Sequence, residues 1–256
     1  MELKCNPEVA AHLKSPSQRT RIITEDGFSR FGYCLKCVSD TLIQTQAGTV
    51  CQDFYCPKCG QPYELKSARR AHTNIVQDGG YDSMMRCIKG NNVPALMLMH
   101  YSPEWCVQGL LAIHPVFLTP NVVMKRAKPH IRPKSKAEYW MCDLNLSFIP
   151  TDGKIALVTN GIVHAASDTR RQFQESARFG DVKLADRGWA ASVLAIVRKI
   201  CKPLVTNADL FAYIEELHAA YPGNNHIREK IRQQMQLLMR LGYVERISRG
   251  EYQVIR

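Results

Sequence analysis

The chain has 256 residues, 45% apolar and 22% charged, the profile of an ordinary globular protein with room for one large domain or two. Its 34 Lys and Arg against 23 Asp and Glu leave a net charge of +11, an excess that attracts polyanions, nucleic acid first among them. No apolar run approaches the roughly 18 residues of a membrane span. The first residues carry no apolar signal-peptide core, so the ten cysteines are expected as thiols and a metal site in a cytoplasmic protein, not as disulfides.

In chain order, Ser15–Arg30 is predicted as a helix, with Ser15 as N-cap, Pro16 at its first position, and Ile22 and Ile23 on the buried side. Its polar run Thr24-Glu25-Asp26 is expected to face solvent, with an active site as the alternative. Short strands follow at Val50–Tyr55 and Gln61–Lys66. In the second, Tyr63 and Leu65 alternate with Glu64 and Lys66, so the two charged side chains share one face. Tyr81–Lys89 reads as a helix, and Ala95–Tyr101 and Cys106–Ile113 as buried strands about the turn Ser102-Pro103-Glu104. Lys125–Lys136 carries six Lys or Arg, two prolines and no acid, the composition of an extended loop. A hairpin is signalled at Lys154–Val163 with Asn160-Gly161 as its turn.

Composition shifts near Gly180. Beyond it, Trp189–Ile200, Ala208–Ala220 and Asn225–Leu241 read as helices. Tyr243–Ser248 and Glu251–Ile255 then alternate like strands about Arg249-Gly250. Three helices and a hairpin are the order of a winged helix, giving expected domains at 1–180 and 181–256.

Two constellations share residues 34–67. Cys34-Leu-Lys-Cys37 and Cys56-Pro-Lys-Cys59, eighteen residues apart, have the spacing of a tetrahedral zinc site. Four thiolates leave no open position, so this zinc is expected to be structural. Cys51 lies outside the pairs and is expected in the core. Asp53 precedes the second pair, and Glu64-Leu65-Lys66 follows it. Phosphodiester hydrolysis needs a divalent ion held by carboxylates and a cation beside the attacking water. Asp53 and Glu64, with the Leu65 carbonyl, would hold magnesium, and Lys66 would act on the water or on developing charge.

The segments Asp53-Phe-Tyr-Cys56-Pro-Lys-Cys59, Tyr63-Glu-Leu-Lys66-Ser67, Thr24-Glu-Asp26 and Asn224-Asn-His-Ile-Arg-Glu-Lys-Ile-Arg-Gln-Gln234 resemble the DpnI-type methyl-directed restriction endonucleases, over essentially the whole chain. The resemblance implies a mixed α/β (α+β) PD-(D/E)xK nuclease domain with an inserted four-cysteine zinc site, followed by a winged helix. It implies cleavage of double-stranded GATC sites carrying N6-methyladenine. It assigns Asp53, Glu64 and Lys66 as catalytic and Cys34, Cys37, Cys56 and Cys59 as zinc ligands. Gln52 stands where the motif name has proline, a departure the resembled family shares.

The adenine methyl group projects into the major groove, where an apolar surface can read it. Relatives place an aromatic residue there, and the matching region Ala137-Glu-Tyr139-Trp140-Met-Cys142 offers Trp140 or Tyr139. On the helix at 225–241, Ile227, Ile231, Gln234 and Leu238 share one face, with Met235 and Leu241 at its edges. Asn225, Arg228, Glu229, Arg232, Gln233 and Gln236 share the other, which suits base-edge contacts. Arg246, Arg249 and the basic loop would meet phosphates. The chain is expected to be a monomer in solution. The competing readings are a non-catalytic DNA-binding regulator and a nuclease of the same fold with another target.

Overall fold

The computed structural model describes residues 3–46, 48–132 and 135–255. Helix α1 (Pro16–Phe31) leads into β1 (Ile43–Gln44), β2 (Phe54–Tyr55), β3 (Pro62–Ala68), β4 (Ile75–Gly80) and α2 (Tyr81–Lys89). There follow β5 (Ala95–Tyr101), β6 (Val107–Ile113), β7 (Val123–Lys125), β8 (His130–Ile131), β9 (Glu138–Tyr139), β10 (Met141–Asn145), β11 (Lys154–Thr159), β12 (Ile162–Val163) and α3 (Ala166–Ser176). The C-terminal part holds α4 (Leu184–Ile200), β13 (Leu204–Thr206), α5 (Asn207–Phe211), α6 (Ile214–Ala220), α7 (Ile227–Arg240), β14 (Val244–Ser248) and β15 (Glu251–Val254).

A seven-stranded sheet, ordered β1-β2-β3-β5-β6-β11-β12, is the frame. Its strands are antiparallel except β3 and β5, which run parallel in register Glu64↔Leu96 and Lys66↔Leu98. Between those two the chain makes β4 and α2, and β4 joins a second sheet, β4-β10-β7. The large sheet is covered on both sides, so β5 is a near-continuous apolar run, as a doubly covered strand should be. Leu96, Leu98 and Ile113 face Val76, Val123 and Leu144 of the second sheet. Ala95, Met97, Met99 and Ala112 face Ile23, Phe28 and Phe31 of α1 and Phe173 of α3. Each fully buried Leu or Met of β5 contributes roughly 1.5–3 kcal/mol relative to exposure. The first of these cores runs on without a break into Trp189, Leu194, Ile231 and Leu238 of the C-terminal helices.

Several expectations are corrected. Ile23 is buried but Ile22 is 37% exposed, because the apolar stripe of α1 is one residue wide there. Ser15 occupies the N-cap position but makes no capping bond. The predicted strand at 50–55 shrinks to two residues, since Cys51 takes a left-handed backbone (φ 55°) that no strand can hold. Cys51 is half-buried and belongs to neither core. The basic segment is not simply an extended loop: His130 pairs with Tyr139 and Ile131 with Glu138 in a short hairpin, with Lys134 outside the described residues. The Asn160-Gly161 turn forms as read, both residues at positive φ. The predicted helix at 208–220 breaks at Ala212–Tyr213, its start set by a capping box of Thr206 and Asp209. Strand β13 was not expected, and it adds a third strand beside β15.

Candidate active site and cysteine centre

The two cysteine turns close on each other. All four sulfurs lie within 4.8 Å of one another. Cys34 Sγ is 3.5 Å from Cys59 Sγ, and Cys37 Sγ is 3.5 Å from Cys56 Sγ. A zinc ion with bonds of about 2.3 Å would set sulfurs about 3.8 Å apart, so the donor set fits. Burial pushes the Cys59 thiol up to about 12. Burial also opposes ionisation of Cys56, but the backbone N–H groups of Cys59 and Lys58 outweigh it and bring that thiol down to about 6. Arg170 of α3 braces the first turn, donating to the carbonyls of Cys34 and Ser39 at 3.0 Å each. Tyr63, fully buried on β3, donates its hydroxyl to Cys34 Sγ (3.2 Å) and accepts from Leu35 N–H (2.8 Å). The next residue along that strand is Glu64.

Asp53 lies just before β2 and is held at both ends. Its N–H donates to Tyr63 O (2.9 Å), and its Oδ2 accepts from Leu65 N–H (2.9 Å). Glu64 and Lys66 share a face as expected, with Nζ 2.6 Å from Glu64 Oε1. The sequence reading missed a third acid: Asp78 Oδ1 of β4 lies 2.7 Å from the same Nζ, and its side chain is only 2% exposed. Burial pushes Glu64 up to about 7, with Asp78 and Asp53 adding and Lys66 opposing. Burial works against the Lys66 ammonium, but Glu64 and Asp78 outweigh it and its pKa rises. His72 Nε2 lies 3.2 Å from Lys66 O and 3.1 Å from Met99 O. Two carbonyls can only accept, so that nitrogen carries the proton and ties down the Lys66 backbone.

This cluster fits a divalent cation. Glu64 Oε2 is buried without a hydrogen-bond partner. The second oxygen of Asp53, Oδ1, lies 3.7 Å from the Arg21 guanidinium. Asp53, Glu64 and Asp78 outnumber the Lys66 ammonium and the Arg21 guanidinium, a negative excess that a hard cation such as magnesium would offset.

Helix α1 supplies one wall, and here the solvent expectation for Thr24-Glu25-Asp26 fails for two of the three residues. Thr24 Oγ1 and Ser67 Oγ share a hydrogen bond of 2.9 Å. Glu25 is 4% exposed, paired with Arg21 and accepting from Gln44 Nε2 at 2.7 Å. Only Asp26 turns outward, to Arg30. A cavity of ≈ 710 Å³ opens alongside, bordered by Arg21, Lys66, Arg70, Thr73 and Gln77.

The two aromatic candidates are set apart. Tyr139 sits on the basic hairpin with Arg132 5.1 Å above its ring. Trp140 is half-buried, with the Lys125 ammonium 4.1 Å from its ring and 5.3 Å from Tyr81. Tyr81 N–H donates to Trp140 O (2.8 Å), and Tyr81 is three residues beyond Asp78. Trp140 is therefore tied through its carbonyl to the start of α2, directly after the strand that bears Asp78, and Tyr139 lies on the basic hairpin.

On α7, Ile227, Ile231, Gln234, Met235 and Leu238 are buried, while Arg228, Glu229, Arg232, Gln233 and Gln236 are exposed. Met235, expected at the edge, is fully buried. Asn225 is exposed but precedes the helix, whose N-cap is His226. Arg228 and Arg232 both lie 5.3 Å from the Phe211 ring, which splays them along one side. Arg246 and Arg249 are exposed on the hairpin, Arg246 Nε donating to Ser248 O (3.1 Å).

A basic α/β chain with a four-cysteine centre, a buried acid–lysine cluster and an Arg- and Gln-bearing helix in a winged C-terminal unit has the make-up of a DNA-acting enzyme. The family models agree. Residues 1–180 match the DpnI model, described as the Dam-replacing family, and residues 185–254 match DpnI_C, the Dam-replacing HTH domain. The chain belongs to the Dam-replacing family, whose membership points to a methyl-dependent restriction endonuclease that binds DNA.

Proposed function

We propose that this chain is a type II endonuclease that hydrolyses double-stranded DNA at GATC sites containing N6-methyladenine. The nuclease is a PD-(D/E)xK domain over 1–180, and a winged-helix reader occupies 181–256. It acts as a monomeric enzyme in the cytoplasm, where its DNA is. The observation that carries the reading is the buried Glu64–Lys66–Asp78 cluster beside Asp53, with Glu64 Oε2 left unpartnered, in a chain of this family.

In this reading Asp53, Glu64 and the Leu65 carbonyl hold magnesium, which when bound polarises the scissile phosphate and acidifies its water. Leu65 N–H fixes the free rotation of Asp53, so the two carboxylates meet in one geometry. Lys66 presents a fixed positive charge where the phosphate's negative charge builds, and orients the water that attacks. Zinc on Cys34, Cys37, Cys56 and Cys59 is structural, and through Tyr63 it steadies the strand that carries Glu64 and Lys66.

Trp140 is the better candidate for packing against the adenine methyl, because its carbonyl accepts from Tyr81 N–H directly after the strand that bears Asp78, whereas Tyr139 belongs to the basic hairpin. Arg228, Arg232, Gln233 and Gln236, with Asn225 and Glu229 at the helix start, form the second reader, each good bidentate base contact worth about 1–3 kcal/mol of discrimination. Arg246, Arg249 and the basic hairpin take phosphates.

Digestion of one plasmid with magnesium, in forms with and without adenine methylation at GATC, tests the proposal. Cutting of the methylated form alone is expected. Equal cutting of both would replace the target, and no cutting of either would leave a DNA-binding regulator.

A further inference from the structure

Lys66 has two acidic partners, and they are not equivalent. Glu64 sits on the same strand and its Oε2 is buried without a hydrogen-bond partner, while Asp78 Oδ1 has only its 2.7 Å ion-pair contact with Lys66 Nζ among the described residues. Asp78 comes from the other sheet, lies deeper, and has Lys66 as its one ion-pair partner among the described residues.

The backbone is shaped to deliver it. In the β4–β10 ladder, Met141 pairs with Gly80 and Asp143 with Gln77, so Asp78 and Gly79 together oppose the single residue Cys142. That is a bulge on β4, a feature that re-aims a side chain and recurs beside active sites. Cys142 Sγ reaches into it, 3.5 Å from Gly79 O and 4.0 Å from Asp78 Oδ2.

We propose that Asp78 is a positioning residue, the anchor that keeps the Lys66 ammonium in place once Glu64 is committed to the divalent cation. The inference rests on the metal-dependent reading above. A cation on Glu64 Oε2 draws that carboxylate away and repels the ammonium at the end of its flexible stem. Without a second carboxylate behind it, Lys66 would follow solvent or swing from the reacting phosphate. With Asp78 fixed in the bulge, Nζ stays where it is.

Asp78→Asn, which keeps the shape and removes the charge, tests this. With methylated duplex, the single-turnover rate should fall about 100-fold, the effect of misplacing a reacting group. Duplex affinity should be unchanged. The second readout needs no cleavage: ¹⁵N spectra of the lysine ammonium groups in DNA-free protein, with the Lys66 signal identified by its loss in Lys66→Met. In wild type that signal should persist through magnesium saturation. In Asp78→Asn it should be present without magnesium, held by Glu64, and vanish when magnesium is added. An unaltered rate in the variant, or a signal that survives magnesium there, would overturn the proposal. So would its loss from wild type on adding magnesium, which decides the matter even if the variant does not fold. A wild-type protein that cuts nothing would instead count against the nuclease reading.

Discussion

At the scale of single residues, the site depends on side chains whose partners are fixed by neighbours on the next strand. Lys66→Ala is expected to keep binding of methylated duplex and to lose cleavage by at least about 100- to 1,000-fold, the range for removing one preorganised charge donor. Single-turnover assays beside a binding titration will separate the two, and unchanged cleavage would remove Lys66 from the chemistry. Tyr63→Phe strips one hydroxyl that serves both Leu35 N–H and Cys34 Sγ. Leaving that buried N–H unpaired should cost about 1–3 kcal/mol, visible as a lower urea midpoint at equal slope. The pairing of Glu64 with Lys66 was legible because a strand has a period of two. Asp78 was not, because its strand, Ile-Val-Gln-Asp-Gly-Gly, carries no apolar alternation and its aim comes from a bulge.

At the scale of elements, the cysteine turns should behave as one unit. Cys56→Ser should lose the metal and lower the melting temperature of the protein, because binding energy at such a site is folding energy. Normal melting with the metal lost would separate the two and sink the structural role. A second element-scale test concerns His114, which caps the short 3₁₀ turn Pro115–Phe117 by accepting from Val116 N–H and lies 4.1 Å from the Phe173 ring. Burial holds its imidazole down to about 3 from 6.5, with Lys36 and Arg187 adding. The unfolded chain takes up this proton near pH 6.5 and the folded chain does not, so the group contributes stability above pH 6.5 that is lost as pH falls toward about 3. The slope approaches about 1.4 kcal/mol per pH unit within that window. In His114→Gln, the urea midpoints at neutral pH and in mid-window should draw together; an unaltered gap would assign the acid sensitivity elsewhere. Helix α3 escaped sequence reading for a related reason, since Phe173 is its one large buried side chain and makes no stripe.

At the scale of the whole molecule, the winged unit is joined to the rest by polar contacts over a shared apolar core. Arg198 of α4 donates to both oxygens of Asp152 (2.9 and 2.7 Å) and to Ile255 O (2.9 Å). Arg178 reaches Leu241 O at 3.3 Å, and both guanidinium groups lie over the Tyr243 ring. Asp152→Ala leaves the Arg198 charge, 15% exposed, without its acid, at a cost of about 2–3 kcal/mol. Calorimetry should show a single unfolding transition in wild type, and a lowered or divided one in the variant. An unchanged trace would mean that the apolar core alone couples the two units.

What the sequence determined by itself is what short spacing can carry: the cysteine pairs, Glu64 and Lys66 on one strand face, the Asn160-Gly161 turn, and the buried and exposed sides of α7. Each is set by local geometry, a turn, a period of two or a period of 3.6. Only the tertiary structure decided which distant residues complete the site. Asp78 reaches Lys66 from a second sheet, Glu25 and Thr24 turn in from α1, and Tyr81 backs Trp140. Those contacts come from sheets and helices packing across many residues of chain, where no periodicity reports which polar side chain will meet which.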